Sequence, residues 1–172
     1  MTEERIMLPW PEWQIAELLG QGTFGKVYRI QKTEYGHTAQ AALKIITCTL
    51  DEQEKIRLEA RGIPQDVYLR ELREKISSEI DIMQSLKGAA NIVSIEDWKI
   101  EERKNGWILY IRMELLKSLL QQMGEKCFTE TEVRKIGMDL CTALSACSRK
   151  GVIHRDIKPD NIFVSEFGDY KL

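Results

Sequence analysis

Three glycines in six residues, Gly20, Gly22 and Gly25, stand between two runs that read as strands. Ile15, Leu18 and Leu19 precede them, and Val27, Tyr28 and Ile30 follow. Glycine lets a backbone reverse sharply and approach other groups closely. Residues 13–30 are therefore expected to form a strand, a glycine-rich turn and a second strand. The cluster Gly20-Gln21-Gly22-Thr23-Phe24-Gly25-Lys26-Val27 matches three phosphate-binding patterns to different degrees. As a Walker A loop it has Gly20 and Gly25-Lys26 at the right spacing, but Val27 stands where a Ser or Thr must ligate magnesium. As a dinucleotide turn it needs a helix next, and Val27-Tyr28-Arg29-Ile30 reads as a strand. The third pattern is a strand–turn–strand flap whose backbone N–H groups close over phosphates. A glycine hairpin with no ligand remains a fourth reading.

The rest of the chain supplies a globular context. Of its 172 residues 43% are hydrophobic and 30% charged, which excludes disorder and collagen-like structure. One domain is the default at this length. With 27 acidic against 25 basic residues the net charge is −2, so no global attraction to nucleic acid or anionic membrane is expected. No apolar run approaches the ~18 residues of a spanning helix. The acidic start, Met1-Thr2-Glu3-Glu4, is unlike a secretory signal, so a cytoplasmic location is expected. Cys48, Cys127, Cys141 and Cys147 form no Cys-x-x-Cys pair, and His37 and His154 lie far apart, so reduced, unliganded cysteines are expected.

A second strand-like run covers 41–46, after a polar link containing Gly36. Residues 51–61 are dense in charge, read either as a solvated surface helix or as a docking insertion, and Gly62-Ile63-Pro64 breaks them. A long helix is expected over 66–86, with Leu69, Leu72, Ile76, Ile80 and Met83 as its apolar stripe. Strands are expected over 92–100 and 107–113, joined by a turn carrying Asn105-Gly106. Thr129 and Glu132 have capping-box spacing, and Val133, Ile136, Leu140, Leu144 and Cys147 form a helical stripe ending at Gly151. Two short β-like runs, 162–164 and 170–172, close the chain.

Lys44 lies in an otherwise apolar strand, seventeen positions after Val27. A strand lysine can simply reach solvent with its head. Glu79, however, falls beside Ile76, Ile80 and Met83 on the helix stripe, and a carboxylate turned inward needs a partner. A Lys44–Glu79 pair would satisfy both. Glu71 and Glu74 are alternatives farther from the stripe.

The most specific signal is His154-Arg155-Asp156-Ile157-Lys158-Pro159-Asp160-Asn161, after a helix and before a strand. It resembles the catalytic loop of protein kinases, and Lys158-Pro159 resembles the serine/threonine type. With the glycine flap, Lys44 and Glu79 in order, the resemblance covers about residues 13–172. It implies an α+β, two-lobed protein-kinase-like fold. Residues 1–12 would be an N-terminal extension, 13–116 an N-lobe with hinge, built of a five-stranded antiparallel sheet and the long helix, with an insertion over about 51–65. Residues 117–172 would form part of a helical C-lobe.

The resemblance also implies roles by position. Asp156 would be the catalytic base or substrate-orienting carboxylate, Lys158 would neutralise charge on the transferring phosphoryl group, and Asn161 would hold a magnesium ion. His154 would brace the loop, and Arg155 would pair with a phosphorylated activation segment. Lys44, held by Glu79, would bind the α- and β-phosphates of ATP. Gly20, Gln21, Gly22, Thr23, Phe24 and Gly25 would cover the phosphates; Leu19, Val27 and Ala42 would lie over adenine and Phe163 beneath it. Met113 resembles the gatekeeper, followed by a hinge of Glu114, Leu115 and Leu116. Lys117-Ser118-Leu119 is shorter than the usual connection, so no ribose contact is assigned.

Kinases carry Asp-Phe-Gly about 13 residues after that asparagine. Glu166-Phe167-Gly168 comes too early, and the expected aspartate would fall just beyond Leu172. The chain is thus expected to stop before this motif, to transfer phosphate weakly or not at all, and to self-associate through apolar surface on the 129–150 helix. The implied activity is transfer from Mg-ATP to a Ser/Thr hydroxyl of a protein. A nucleotide-binding pseudokinase or scaffold is the rival from the same resemblance, and a dinucleotide-dependent oxidoreductase the rival from the glycines alone.

Overall fold

The structure, a computed structural model, describes residues 7–22, 25–103 and 105–172. The chain divides into two compact units, Met1–Ile76 with Glu96–Leu115 and Ser77–Ile95 with Leu116–Leu172.

The first unit is built on strands β1 (Gln14–Gly22), β2 (Gly25–Glu34) and β3 (His37–Thr49), followed by helix α1 (Glu52–Ala60). Helix α2 (Gln65–Ser85) begins in this unit and ends in the second. Strands β4 (Ile95–Arg103) and β5 (Gly106–Met113) complete a five-stranded sheet of order β1-β2-β3-β5-β4. The pairs β1–β2, β2–β3 and β3–β5 are antiparallel.

Period-two alternation along β2 and β3 puts Tyr28, Ile30, Ala41, Leu43 and Ile45 on one face, where they pack with Trp10, Trp13 and Tyr110. Ile30, Ala41 and Leu43 are wholly buried. Ile30 and Leu43 each contribute about 1.5–3 kcal/mol by leaving water, and Ala41 less. β3 runs farther than the apolar stretch 41–46 because a two-residue turn, Tyr35 and Gly36 with φ of 50° and 79°, pairs Glu34 with His37 and zips the polar flanks. The charged stretch after β3 is a helix, α1, capped by Asp51, whose side chain accepts from Glu54 N at 2.7 Å. It buries Leu58, and Ile63 N closes its C-terminus on the Leu58 carbonyl at 2.9 Å.

Two of the glycines are required by close backbone approach. A Cβ on Gly25, whose φ is +120°, would lie 2.1 Å from the Ile45 carbonyl oxygen. One on Gly106, at φ +146°, would lie 2.0 Å from the Cys48 carbonyl oxygen. Gly106 therefore serves the β3–β5 pairing at Thr49 as well as the turn before it.

In the second unit β6 (Lys117–Ser118), β7 (Phe163–Val164) and β8 (Tyr170–Lys171) form a small sheet, with α3 (Leu119–Glu125) and α4 (Glu130–Arg149) beside it. Both helices start with a capping box, Ser118 with Gln121 and Thr129 with Glu132. The expected α4 box is present; the α3 box and its helix were not expected, because the helix has only two turns and no apolar period to read. The α4 stripe requires a correction. Ile136, Leu140 and Leu144 pack against a core of Leu119, Ala143, Ile162, Val164, Tyr170 and Leu172, so the two short strands cover most of the stripe. The exposed apolar residues of α4 are Val133 and Met138.

Candidate active site

In the first unit, strand register brings four of the expected residues to one face. Lys44 lies opposite Val27 on β2 and Ile111 on β5, and Ala42 lies opposite Arg29 and Met113. Directly opposed residues share a face of the sheet, so Val27, Ala42, Lys44 and Met113 all face away from the Trp10–Trp13 core. Ala42 is buried, and Val27, Lys44 and Met113 are half-buried. Among the described residues this surface combines apolar side chains with two cations, Lys44 and Arg29, the latter paired with Glu17 at 2.8 Å, and such a surface suits a flat heteroaromatic group carrying phosphates.

The glycine turn joins the ends of β1 and β2. Gly22 pairs with Gly25, Gln21 with Lys26 and Gly20 with Val27. Two register shifts, at Ile15/Glu17 and Leu18/Gly20, bend β1 along its length. Leu19 and Gly20 are exposed, while Gly25 is pressed against β3. Thr23 and Phe24 lie outside the described residues. Glu114, Leu115 and Leu116 follow β5 and are half-buried; Leu115 closes the first unit and Leu116 opens the second.

Glu79 lies in the second unit and Lys44 in the first. Ile76 and Ile80 are buried and Met83 half-buried, as the stripe requires, but Glu79 is exposed. The burial that would oblige Glu79 to find a counter-ion is therefore absent. Ser78 beside it is exposed as well, and Glu79, three residues after Ile76 and four before Met83, stands at the edge of the apolar stripe.

The loop after α4 holds an organised polar cluster. Helix α4 ends at Arg149, and Gly151, at φ +70°, turns the chain out of it. Arg155 takes the left-handed conformation, φ 63°, which for a non-glycine residue is a strained state kept by its surroundings. A 3-10 turn over Pro159–Asn161 then folds Asn161 back onto Asp156. The Asn161 amide Nδ2 donates to the Asp156 carbonyl at 2.9 Å and to its Oδ2 at 2.7 Å. Lys158 Nζ lies 3.1 Å from the same Oδ2. The Asp156 backbone N–H donates to His154 Nδ1 at 3.4 Å, and His154 is half-buried behind the loop.

The Lys158 ammonium, followed by the Asn161 amide, holds the Asp156 carboxyl below its ordinary 3.8. Asp156 is thus an ionised carboxylate with one oxygen occupied by two donors and the other turned to solvent. Asn161, with its nitrogen committed to Asp156, offers its amide oxygen as a hard ligand of the kind divalent cations take. Phe163 lies half-buried on β7, pairing with Ser118 and Lys171. Glu166-Phe167-Gly168 occupies the tip of the β7–β8 hairpin, with Phe167 91% exposed and Gly168 at φ +81°. Among the described residues, no cluster of three or more His, Cys, Asp or Glu side chains could hold a metal, and no helix is long and apolar enough to cross a membrane.

Two contributors to these surfaces were not foreseen. Arg112, next to Met113, stacks between Trp10 and Trp13 on the other side of the sheet. Asn91, at φ 60°, donates to the Tyr170 carbonyl at 2.8 Å, while Val93 N and Leu172 N complete backbone bonds across residues 91–93 and the end of β8. The only hint of the first in the sequence is the Trp10-Pro11-Glu12-Trp13 spacing, and of the second an asparagine after Gly88-Ala89-Ala90.

Comparison with known proteins gives the family. The family model for the protein kinase domain matches residues 13–172. CBL-interacting serine/threonine-protein kinase 20 of Arabidopsis thaliana is 28% identical over 94% of this chain and 32% of its own length. CBL-interacting protein kinase 2 of Oryza sativa subsp. japonica is 29% identical over 100% of this chain and 34% of its own. Aurora/IPL1-related protein kinase 2 of Caenorhabditis briggsae is 31% identical over 94% and 47%. The chain therefore spans less than half the length of these relatives. The family match spans residues 13–172, which include the glycine turn, Lys44 and the loop that folds Asn161 onto Asp156: the chain belongs to the protein kinases.

Proposed function

We propose that this chain is the ATP-binding and catalytic-loop part of a serine/threonine protein kinase, one that moves a phosphoryl group from Mg-ATP to a protein hydroxyl. The observation that carries the reading is the Asp156 cluster. A carboxylate with one oxygen held by Lys158 and Asn161 and the other open is arranged to accept a hydrogen bond from an incoming hydroxyl. Because its pKa is lowered, Asp156 is a weak base. It orients the hydroxyl first and takes its proton late, once charge has moved toward the phosphoryl group.

Lys158 carries its ammonium beside that carboxylate and offsets negative charge as it builds on the transferred group. In the first unit, Val27, Ala42 and Met113 provide the apolar bed for adenine, the backbone of Glu114 its polar edge, and Lys44 the cation for the α- and β-phosphates. Asn161 would contribute an oxygen to a magnesium ion, which when bound screens the phosphate charges. The residues 1–172 hold no Asp-Phe-Gly triplet after Asn161, so these residues by themselves are expected to transfer phosphate slowly. The intact set of Lys44, Asp156 and Asn161 favours an enzyme over a scaffold that has lost its chemistry.

Competition binding tests the reading. The chain should be stabilised against heat by ATP with magnesium, and a hundredfold excess of NAD should not displace it. Displacement by NAD would return the glycine turn to the dinucleotide class and sink the kinase reading.

A further inference from the structure

The sheet has a second organised face, opposite the one assigned to nucleotide. Trp10-Pro11-Glu12-Trp13 forms a turn, with Trp13 N donating to the Trp10 carbonyl at 3.1 Å and Pro11 at the position where its fixed φ favours turning. The turn presents two indoles to the same guanidinium: the Arg112 Cζ lies 4.9 Å from the Trp10 ring centre and 5.0 Å from that of Trp13. Both rings are buried, at 6% and 7% exposure, and the Arg112 side chain is 16% exposed. The edge of the guanidinium is also engaged, since its Nε donates to Glu96 at 2.9 Å on the neighbouring strand. Trp10 Nε1 in turn donates to Asp97 on that strand at 2.7 Å. A largely desolvated cation between two aromatic faces is worth more than an exposed one, and the planar fork of arginine suits stacking where lysine does not.

What makes this more than packing is where Arg112 sits. It is the penultimate residue of β5, opposite Leu43, and the next residue is Met113, opposite Ala42 on the other face. Fixing the Arg112 side chain fixes the pleat at the end of β5, and with it the direction of Met113 and of the backbone at Glu114 and Leu116. We infer that Trp10, Trp13 and Arg112 form a strap from the N-terminal segment that positions Met113 and the following backbone for nucleotide binding. Arg112 is a positioning residue, which touches no nucleotide, and the inference rests on the reading that this face of the sheet binds ATP.

The test is isothermal titration of ATP with magnesium into the full 172-residue chain, well below its melting temperature, with amide hydrogen exchange on the same samples. Arg112→Met keeps an apolar chain between the rings and removes the cation. It should weaken ATP five- to tenfold and speed exchange at 113–116, while exchange in β2 and β3 stays unchanged. Arg112→Lys should recover only part of the loss. Trp10→Phe, which keeps a ring and deletes the bond to Asp97, should cost two- to threefold and serves where Arg112→Met does not fold. Lys32→Met, which removes a cation 5.6 Å from Trp13 on its exposed side, should leave affinity unchanged. Wild-type affinity in folded Arg112→Met, or in Trp10→Phe if only that folds, would overturn the inference and leave the kinase reading standing. No ATP binding by the unaltered chain would overturn both.

Discussion

At the residue scale, single atoms decide what can be changed. Gly25→Ala adds a Cβ 2.1 Å from a backbone oxygen at a φ of +120°, so both the clash and the backbone strain oppose it. The variant should lose about 2 kcal/mol or more in denaturant unfolding. At Gly20 a Cβ meets nothing within 4 Å among the described residues, so Gly20→Ala should cost under about 0.5 kcal/mol and act on nucleotide affinity instead. Equal losses at the two positions would contradict the steric account. Asp156 gives a second residue-level prediction. Its carboxyl is held low first by Lys158, so in Lys158→Met its titration midpoint, followed by carbon NMR, should rise toward the ordinary 3.8. A midpoint that stays put would mean that Asn161 alone sets it.

At the element scale, the start of α4 carries a pH dependence whose sign is fixed by a depressed acid. Lys126 first, then the Thr129 backbone and hydroxyl, lower Glu132 from an ordinary 4.5 to about 2. A group depressed in the folded state contributes stability that is fully present above its unfolded value and is lost as pH falls through its folded value. The second unit should therefore lose melting temperature between about pH 4.5 and pH 2, and Glu132→Gln should flatten that stretch of the profile without changing its shape above pH 5. A profile unaltered by the substitution would place the acid sensitivity elsewhere. This box was legible in the sequence because it is local: cap and partner lie three residues apart and the apolar period follows at once. The loop from His154 to Asn161 was legible for the same reason, since its hydrogen bonds join residues two and five apart. The strap was not, because Trp10 meets Asp97 across 87 residues of sequence and only folding brings them together. Glu79 is a different case. The stripe beside it is present, but Glu79 at its edge is exposed, so a buried charge supplies no reason for it to pair with Lys44.

At the scale of the whole molecule, the two units carry the groups of the proposed function separately. One supplies a sheet with Lys44 and an apolar bed, the other a loop with Asp156, Lys158 and Asn161. The second unit also carries apolar surface: Met138 is 71% exposed and Val133 56% on α4, and Ile153, 73% exposed, lines an open groove of about 460 Å³ with Leu144, Val152 and Ile157. Apolar surface of this kind promotes association. At tens of micromolar the chain should sediment as dimers or larger, and Met138→Lys with Ile153→Lys should shift it toward monomer; a wild-type monomer at that concentration would contradict this. The central claim concerns nucleotide, and it is tested most directly by titrating ATP with magnesium into the chain and two variants. The account predicts saturable binding by the unaltered chain, at least tenfold weaker binding by Lys44→Met, and binding within about twofold of the original by Asp156→Asn, whose role lies in transfer and not in affinity. No binding by the unaltered chain, or equal binding by Lys44→Met, would contradict it.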